Sequence, residues 1–221
     1  MNIFDRKLMA LLAALAATLV VFALWPELDM RVARVFYGDS GFIGMQPWQA
    51  WARDFFQFSP FVLLIGGLVA WALKRLGAPL PWAPSGRSAL FLLLTMLIGP
   101  GLIVNAVLKE HAHRPRPVHV TEFGGPDVFK AWDEFDGACG GNNCSFASGE
   151  AAQGFWMIAP ALIAPPPWRG AALVGALAFG VSASVLRMAF GAHFLSDVLV
   201  GGLISLIVIV VARRLIWRRR I

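Results

Sequence analysis

Residues 8–25 read LMALLAALAATLVVFALW, 18 positions without a charge, and further apolar stretches follow at about 60–73, 88–108, 150–164, 170–187 and 194–212. This recurrence leaves few folds open. Hydrocarbon offers no water to satisfy a backbone N–H or C=O, so a stretch of roughly 20 apolar residues is stable there as a helix. The expectation is an all-α integral membrane protein: one domain over residues 1–221 with six transmembrane helices.

Composition supports this. Hydrophobic residues make up 58% of the chain, charged residues 14%, and mean hydropathy is +0.67; soluble domains are about 45–50% apolar. The first stretch is long for a signal peptide and leaves through Trp25-Pro26 rather than a small-residue cleavage site, so it reads as a retained span. The formal charge of +6 does not describe a nucleic-acid surface, because much of it sits in tracts such as ARRLIWRRRI that flank an apolar stretch. Eleven of the nineteen Lys and Arg residues fall on one side if the N-terminus is cytoplasmic: Arg6, Lys7, Lys74, Arg75, Arg87, Arg169 and the five arginines after residue 212. Both termini are therefore expected in the cytoplasm. The polar loop 109–149 then faces the periplasm of a bacterial inner (cytoplasmic) membrane.

Between the first two stretches, residues 26–60 alternate aromatic and charged side chains. One or two helices lying in the interface are expected there, with Trp48, Trp51, Phe55 and Phe56 facing lipid as an anchor or as a route for a lipid substrate.

Three polar clusters fall at stretch ends on that same periplasmic side. In KEHAHRPRP, Lys109 and Arg116-Pro117 are separated by six residues; in ASGE, Ser148 and Gly149 precede Glu150; LRMAFGAHFLSD carries Arg187, His193 and Asp197. Lys109, Arg116 and Arg187 are permanent cations, and Arg presents a planar fork matched to phosphate oxygens. Ser148 and Gly149 open a helix whose free N–H groups suit an anion. His193 and Asp197 are spaced i, i+4, so on a helix that has already begun they share a face. Asp197 then accepts from one imidazole nitrogen and leaves the other as nucleophile or base.

Together these clusters resemble the signature of the type 2 phosphatidic acid phosphatase superfamily of integral-membrane lipid phosphatases: K-x6-RP, then PSGH, then SR-x5-H-x3-D. The match spans the chain, with Lys109, Arg116 and Pro117 in the first motif and Arg187, His193 and Asp197 in the third. The resemblance implies a lipid phosphate as substrate, a phosphohistidine intermediate on His193 oriented by Asp197, and phosphate held by Lys109, Arg116, Ser148, Gly149 and Arg187, with no cofactor and no metal. Ala147 and Leu186 replace the family proline and serine. Glu150 stands where the family has the histidine that protonates the leaving oxygen, so the role passes to Glu150 or activity is impaired. Burial and a bound phosphate favour a protonated carboxyl there, and the three cations oppose it. Glu150 is otherwise a salt-bridge partner of the arginines or a first-turn residue favoured by the helix dipole.

Candidate substrates are lipid A phosphates, undecaprenyl pyrophosphate, phosphatidylglycerol phosphate and phosphatidic acid, with lipid A suggested by the glutamate-bearing second motif and its NNCSF lead-in. A transporter would carry ionisable residues in mid-span, where residues 8–25, 60–73, 88–108 and 170–186 have none. An inactive lipid-phosphate binder could dispense with the nucleophile, yet His193 and Asp197 are both present. Cys139 and Cys144 form a disulfide if their loop faces an oxidising compartment and two free thiols if it does not. His111 and His113 have no neighbouring residues to complete a metal site. Arg114 is a second candidate for substrate contact, and His119, Asp133, Glu134 and Asp136 decorate a solvated loop.

Overall fold

The structure, a computed structural model, describes residues 3–137, 139 and 144–217. The apolar stretches become helices: α1 (Ile3–Leu24), α3 (Pro47–Arg75), α4 (Gly86–His111), α7 (Pro166–Ala189) and α8 (Leu195–Ile216). Among the described residues these five are long and apolar enough to cross a membrane. Between α1 and α3 lie α2 (Glu27–Val35) and a small antiparallel hairpin, Tyr37–Gly38 with Gly41–Phe42.

The expected span at 150–164 takes a different form. It is two short helices, α5 (Gly149–Trp156) and α6 (Ile158–Ile163), separated at Met157. Residues 149–163 would rise about 22 Å as one straight helix, short of a hydrocarbon core of about 30 Å. Much of α5 is buried, packed on α7 and α8. Close approach is permitted by small residues: a Cβ on Gly154 would lie 3.1 Å from the Cα of Gly180.

The expected interfacial helix before residue 60 is also different, because α3 is continuous from Pro47. Pro47 at the first helical position and reciprocal capping between Gln46 and Gln49 start the helix well before its apolar part. Trp48, Trp51 and Phe55 are exposed along it, whereas Phe56 turns inward against Phe179 with ring centroids 4.8 Å apart.

In α4 the turns widen to π-helical geometry over Leu97–Leu108, where Pro100 interrupts the regular ladder. The amide of Asn105 donates to the Pro100 carbonyl at 2.7 Å. The last turn of α4 then presents Lys109, and the loop after it folds back over this end of the bundle. It is fastened by Trp132 Nε1 donating to the Leu19 carbonyl at 2.9 Å and by Val118 N donating to the Gly191 carbonyl at 2.9 Å.

Candidate active site

A polar cavity of ≈ 210 Å³ opens at that end of the bundle, where α4 finishes, α5 begins and α7 finishes. Of the residues expected to bind phosphate, Lys109, Arg116, Gly149 and Arg187 line it, as does Glu150. Each position follows from local structure: Lys109 from the last turn of α4, Gly149 and Glu150 from the first turn of α5, Arg187 from the last turn of α7. Gly149 is needed for close packing, since a Cβ there would lie 2.3 Å from Asn105 Oδ1.

Ser148 is placed otherwise. It is fully buried, its Oγ accepts from Ala151 N at 3.3 Å, and it caps α5 instead of lining the cavity. Its own N–H donates to the Asp197 carbonyl at 3.0 Å.

Glu150 bridges two arginines, with Oε2 3.3 Å from Arg187 Nε and Oε1 3.5 Å from Arg53 Nη2. Arg53 was invisible in the motif pattern because it lies within the aromatic first part of α3. A signal was present nonetheless: Arg53 and Gln57 are spaced i, i+4 and share a helical face, and both line the cavity. Asn105 and Gln153 complete the wall, and the buried Gln153 Oε1 has no hydrogen-bond partner among the described residues.

His193 and Asp197 are fully buried and are not part of the cavity wall. The expected direct pairing between them is absent: His193 Nδ1 is 3.8 Å from Asp197 Oδ2, beyond hydrogen-bond length. Nδ1 donates instead to the Ser145 carbonyl at 2.8 Å. The reason is where α8 starts. Phe194 is its N-cap, so His193 precedes the helix and the i, i+4 rule does not apply to it; Asp197 turns back to accept from Phe194 N at 2.8 Å. Asp197 also accepts from Ser145 Oγ at 2.5 Å and Arg114 Nη1 at 2.6 Å. The Nδ1–H bond leaves Nε2 as the unprotonated nitrogen of a neutral imidazole. Burial pulls the pKa of His193 down to about 3; Asp197 opposes this, and Arg187 and Arg116 reinforce it.

Arg114 is not a substrate contact. It is buried with its guanidinium on Asp29 Oδ2 (2.8 Å), Asp197 Oδ1 and Ser196 Oγ (2.8 Å), and over the Phe194 ring, 4.4 Å from its centroid. Asp29, from α2, also accepts from Ser196 N at 2.8 Å. Neither Asp29 nor Ser145 stood out in the sequence. A buried ion network is unattractive without partners on every oxygen, and here both carboxylates are satisfied. Cys139 and Cys144 are disulfide-bonded, just before Ser145. His111 Nδ1 bonds the Val107 carbonyl of its own helix, and His119, Asp133, Glu134 and Asp136 are exposed.

Residues 88–221 match the family model of the PAP2 superfamily. The chain is 33% identical to a lipid A 4'-phosphatase of Francisella tularensis subsp. novicida (strain U112), covering 91% of each chain. It is 35% identical to a lipid A 4'-phosphatase of Rhizobium leguminosarum, over 87% of this chain and 88% of that protein. Its fold is similar to that of a transmembrane PAP2-type phosphatidylglycerolphosphate phosphatase from Bacillus subtilis, with a TM-score of 0.64 and 19% identity over 95% of each chain.

Proposed function

This chain belongs to the PAP2 superfamily, and we propose that it is a membrane lipid phosphatase that hydrolyses the phosphate monoester of a lipid A-type glycolipid. The observation that carries this is the convergence of Lys109, Arg116, Arg187 and the first turn of α5 on one polar cavity at the end of the bundle. The lipid A class is favoured over glycerophospholipids because identity to the lipid A 4'-phosphatases extends over most of the chain. The amide side chains of Gln57, Asn105 and Gln153 on the wall suit a hydroxyl-rich leaving group. The distribution of Lys and Arg favours a periplasmic active face in a bacterial inner membrane.

In the proposed reaction the phosphoryl oxygens take the place held by the Glu150 carboxylate on Arg187 and Arg53, with Lys109 and Arg116 completing the charge. Negative charge on the phosphoryl oxygens is met by cations already in position. His193 Nε2 attacks phosphorus, the ester P–O bond breaks, and the leaving alkoxide takes a proton. Glu150 is the carboxyl on the cavity wall and occupies the motif position of the family's proton donor, so it is assigned that step. Water then gives a proton to the Glu150 carboxylate and attacks the phosphohistidine, breaking the N–P bond and releasing phosphate and neutral His193. The imidazole must be reached from the cavity by substrate, so a small displacement of the Glu150 and Arg187 side chains is part of binding.

The decisive assay measures phosphate release by purified protein in detergent from lipid A, undecaprenyl pyrophosphate, phosphatidylglycerol phosphate and phosphatidic acid. Lipid A is expected to turn over fastest. A His193→Ala variant releasing phosphate at the parent rate would falsify the covalent step, and preference for another lipid would reassign the substrate.

A further inference from the structure

A second cavity lies far from the phosphate site. It is a groove of ≈ 540 Å³ between α1, α6 and the C-terminal half of α8. Asp197 and Arg213 are both on α8, and at 1.5 Å per residue the groove rim is about 24 Å along that helix from Asp197. The walls are apolar, formed by side chains such as Leu11, Leu162, Leu206 and Val210. The rim is basic, with Lys7, Arg213 and Arg214.

One of these cations is already matched. Arg214 Nη1 bonds Asp5 Oδ1 at 2.5 Å, and the guanidinium lies 4.3 Å from the Phe4 ring centroid, which fastens the start of α1 to the end of α8. Lys7 and Arg213 are exposed, and neither has an ion-pair partner among the described residues. From Arg213 to Leu206 the groove runs about 10 Å along the helix, inward from the charged rim toward the membrane interior. Its volume is within the range of about 300–1,000 Å³ typical of ligand pockets.

We infer that this groove is a binding site for an anionic diacyl phospholipid of the leaflet opposite the active site, with an acyl chain against Leu11, Leu162, Leu206 and Val210 and the headgroup phosphate on Lys7 and Arg213. Apolar walls in a bilayer select an acyl chain over a soluble ligand, and the basic rim selects a net negative headgroup over a zwitterionic one. The lipid bridges α1, α6 and α8, so its effect is to stabilise their packing. It is a resident ligand and not a substrate in transit, because its headgroup lies at the other end of the bundle. The inference does not depend on the reaction proposed above.

The test uses full-length protein stripped of lipid in an uncharged detergent and titrated with dioleoyl phosphatidylglycerol or dioleoyl phosphatidylcholine. Bound lipid is counted by native mass spectrometry, and thermal unfolding is followed in parallel. Phosphatidylglycerol is expected to be retained with one-site stoichiometry and to raise the unfolding temperature, while inorganic phosphate does neither. Lys7→Ala with Arg213→Ala should reduce the preference for phosphatidylglycerol by about five-fold per cation removed. Val210→Trp fills the groove without touching the rim and should expel the tightly held lipid. Equal retention of the two lipids by the parent protein overturns the proposal even if neither variant folds. Retention unaffected by Val210→Trp places the lipid outside the groove and overturns it as well.

Discussion

The imidazole of His193 is held by a main-chain atom of Ser145: Nδ1–H donates to the Ser145 carbonyl at 2.8 Å, while Ser145 Oγ donates to Asp197 Oδ2 at 2.5 Å. Asp197 thus positions the histidine through hydrogen bonds to Ser145 and the Phe194 amide, its own carboxylate lying 3.8 Å from Nδ1. Ser145→Ala keeps the carbonyl but removes the link to the carboxylate. Loss of one charge-assisted hydrogen bond should lower kcat about tenfold to a hundredfold with little change in KM. If Asp197 acted directly on the ring, the same variant would retain the parent kcat.

Burial keeps His193 neutral far below the ordinary histidine range, with a pKa of about 3. The acid limb of kcat/KM should therefore not lie near pH 6.5, because the proposed nucleophile is already deprotonated there. Stability has the opposite dependence. The unfolded chain takes up a proton on this histidine as pH falls through about 6.5, and the folded chain does not until about pH 3. The contribution of the group is fully present above about pH 6.5 and is lost on acidification, at about 1.4 kcal/mol per pH unit. Unfolding measured from pH 7 to pH 4 should show this slope in the parent and lose it in His193→Asn.

Arg53 and Arg187 share one carboxylate, that of Glu150. Arg53→Ala should raise KM more than it lowers kcat, because in the proposed reaction Arg53 binds the phosphate before and during the chemical step. Glu150→Gln should lower kcat by 10²–10⁴-fold if proton donation is its task. Glu150→Gln turning over at the parent rate would reduce Glu150 to a placeholder for the two arginines. Measuring kcat and KM separately distinguishes the cases.

Asp29, Arg114 and Asp197 form a buried network across α2, the long loop and α8. Asp29→Asn leaves Arg114 short of a countercharge and should destabilise the protein by about 3–5 kcal/mol. Asp29→Asn with Arg114→Met removes both partners of one pair, and its unfolding temperature should recover part of the loss, although Asp197 is then left without its arginine.

Gly149→Ala should displace Asn105, whose Oδ1 is 2.3 Å from the added Cβ. The unfolding temperature should fall. Adding Asn105→Ala makes room and should restore most of it, a coupling that a double-mutant cycle measures.

Much was legible in the chain itself. Long uncharged stretches dictate helices because backbone groups in hydrocarbon have no other partner, and motif spacing named the cations and Glu150 that share a cavity. Residues whose role comes from three-dimensional neighbours were silent. Asp29 and Ser145 sit 168 and 52 positions from Asp197, and only folding brings their oxygens and Arg114 into one network. Arg53 lay hidden in an aromatic run because nothing local shows which face of α3 turns to the site.

By itself the sequence determined the membrane setting, the helical class and the set of chemical groups, since these follow from hydrophobicity and residue type. The tertiary structure decided where helices start and break, and that choice governs the chemistry. α8 begins at Leu195, after His193, so Asp197 serves as a cap and its hydrogen bonds reach the histidine through Ser145 and the Phe194 amide. A helix boundary depends on which partners satisfy its first free N–H groups, and those partners are set by packing, not by spacing along the chain.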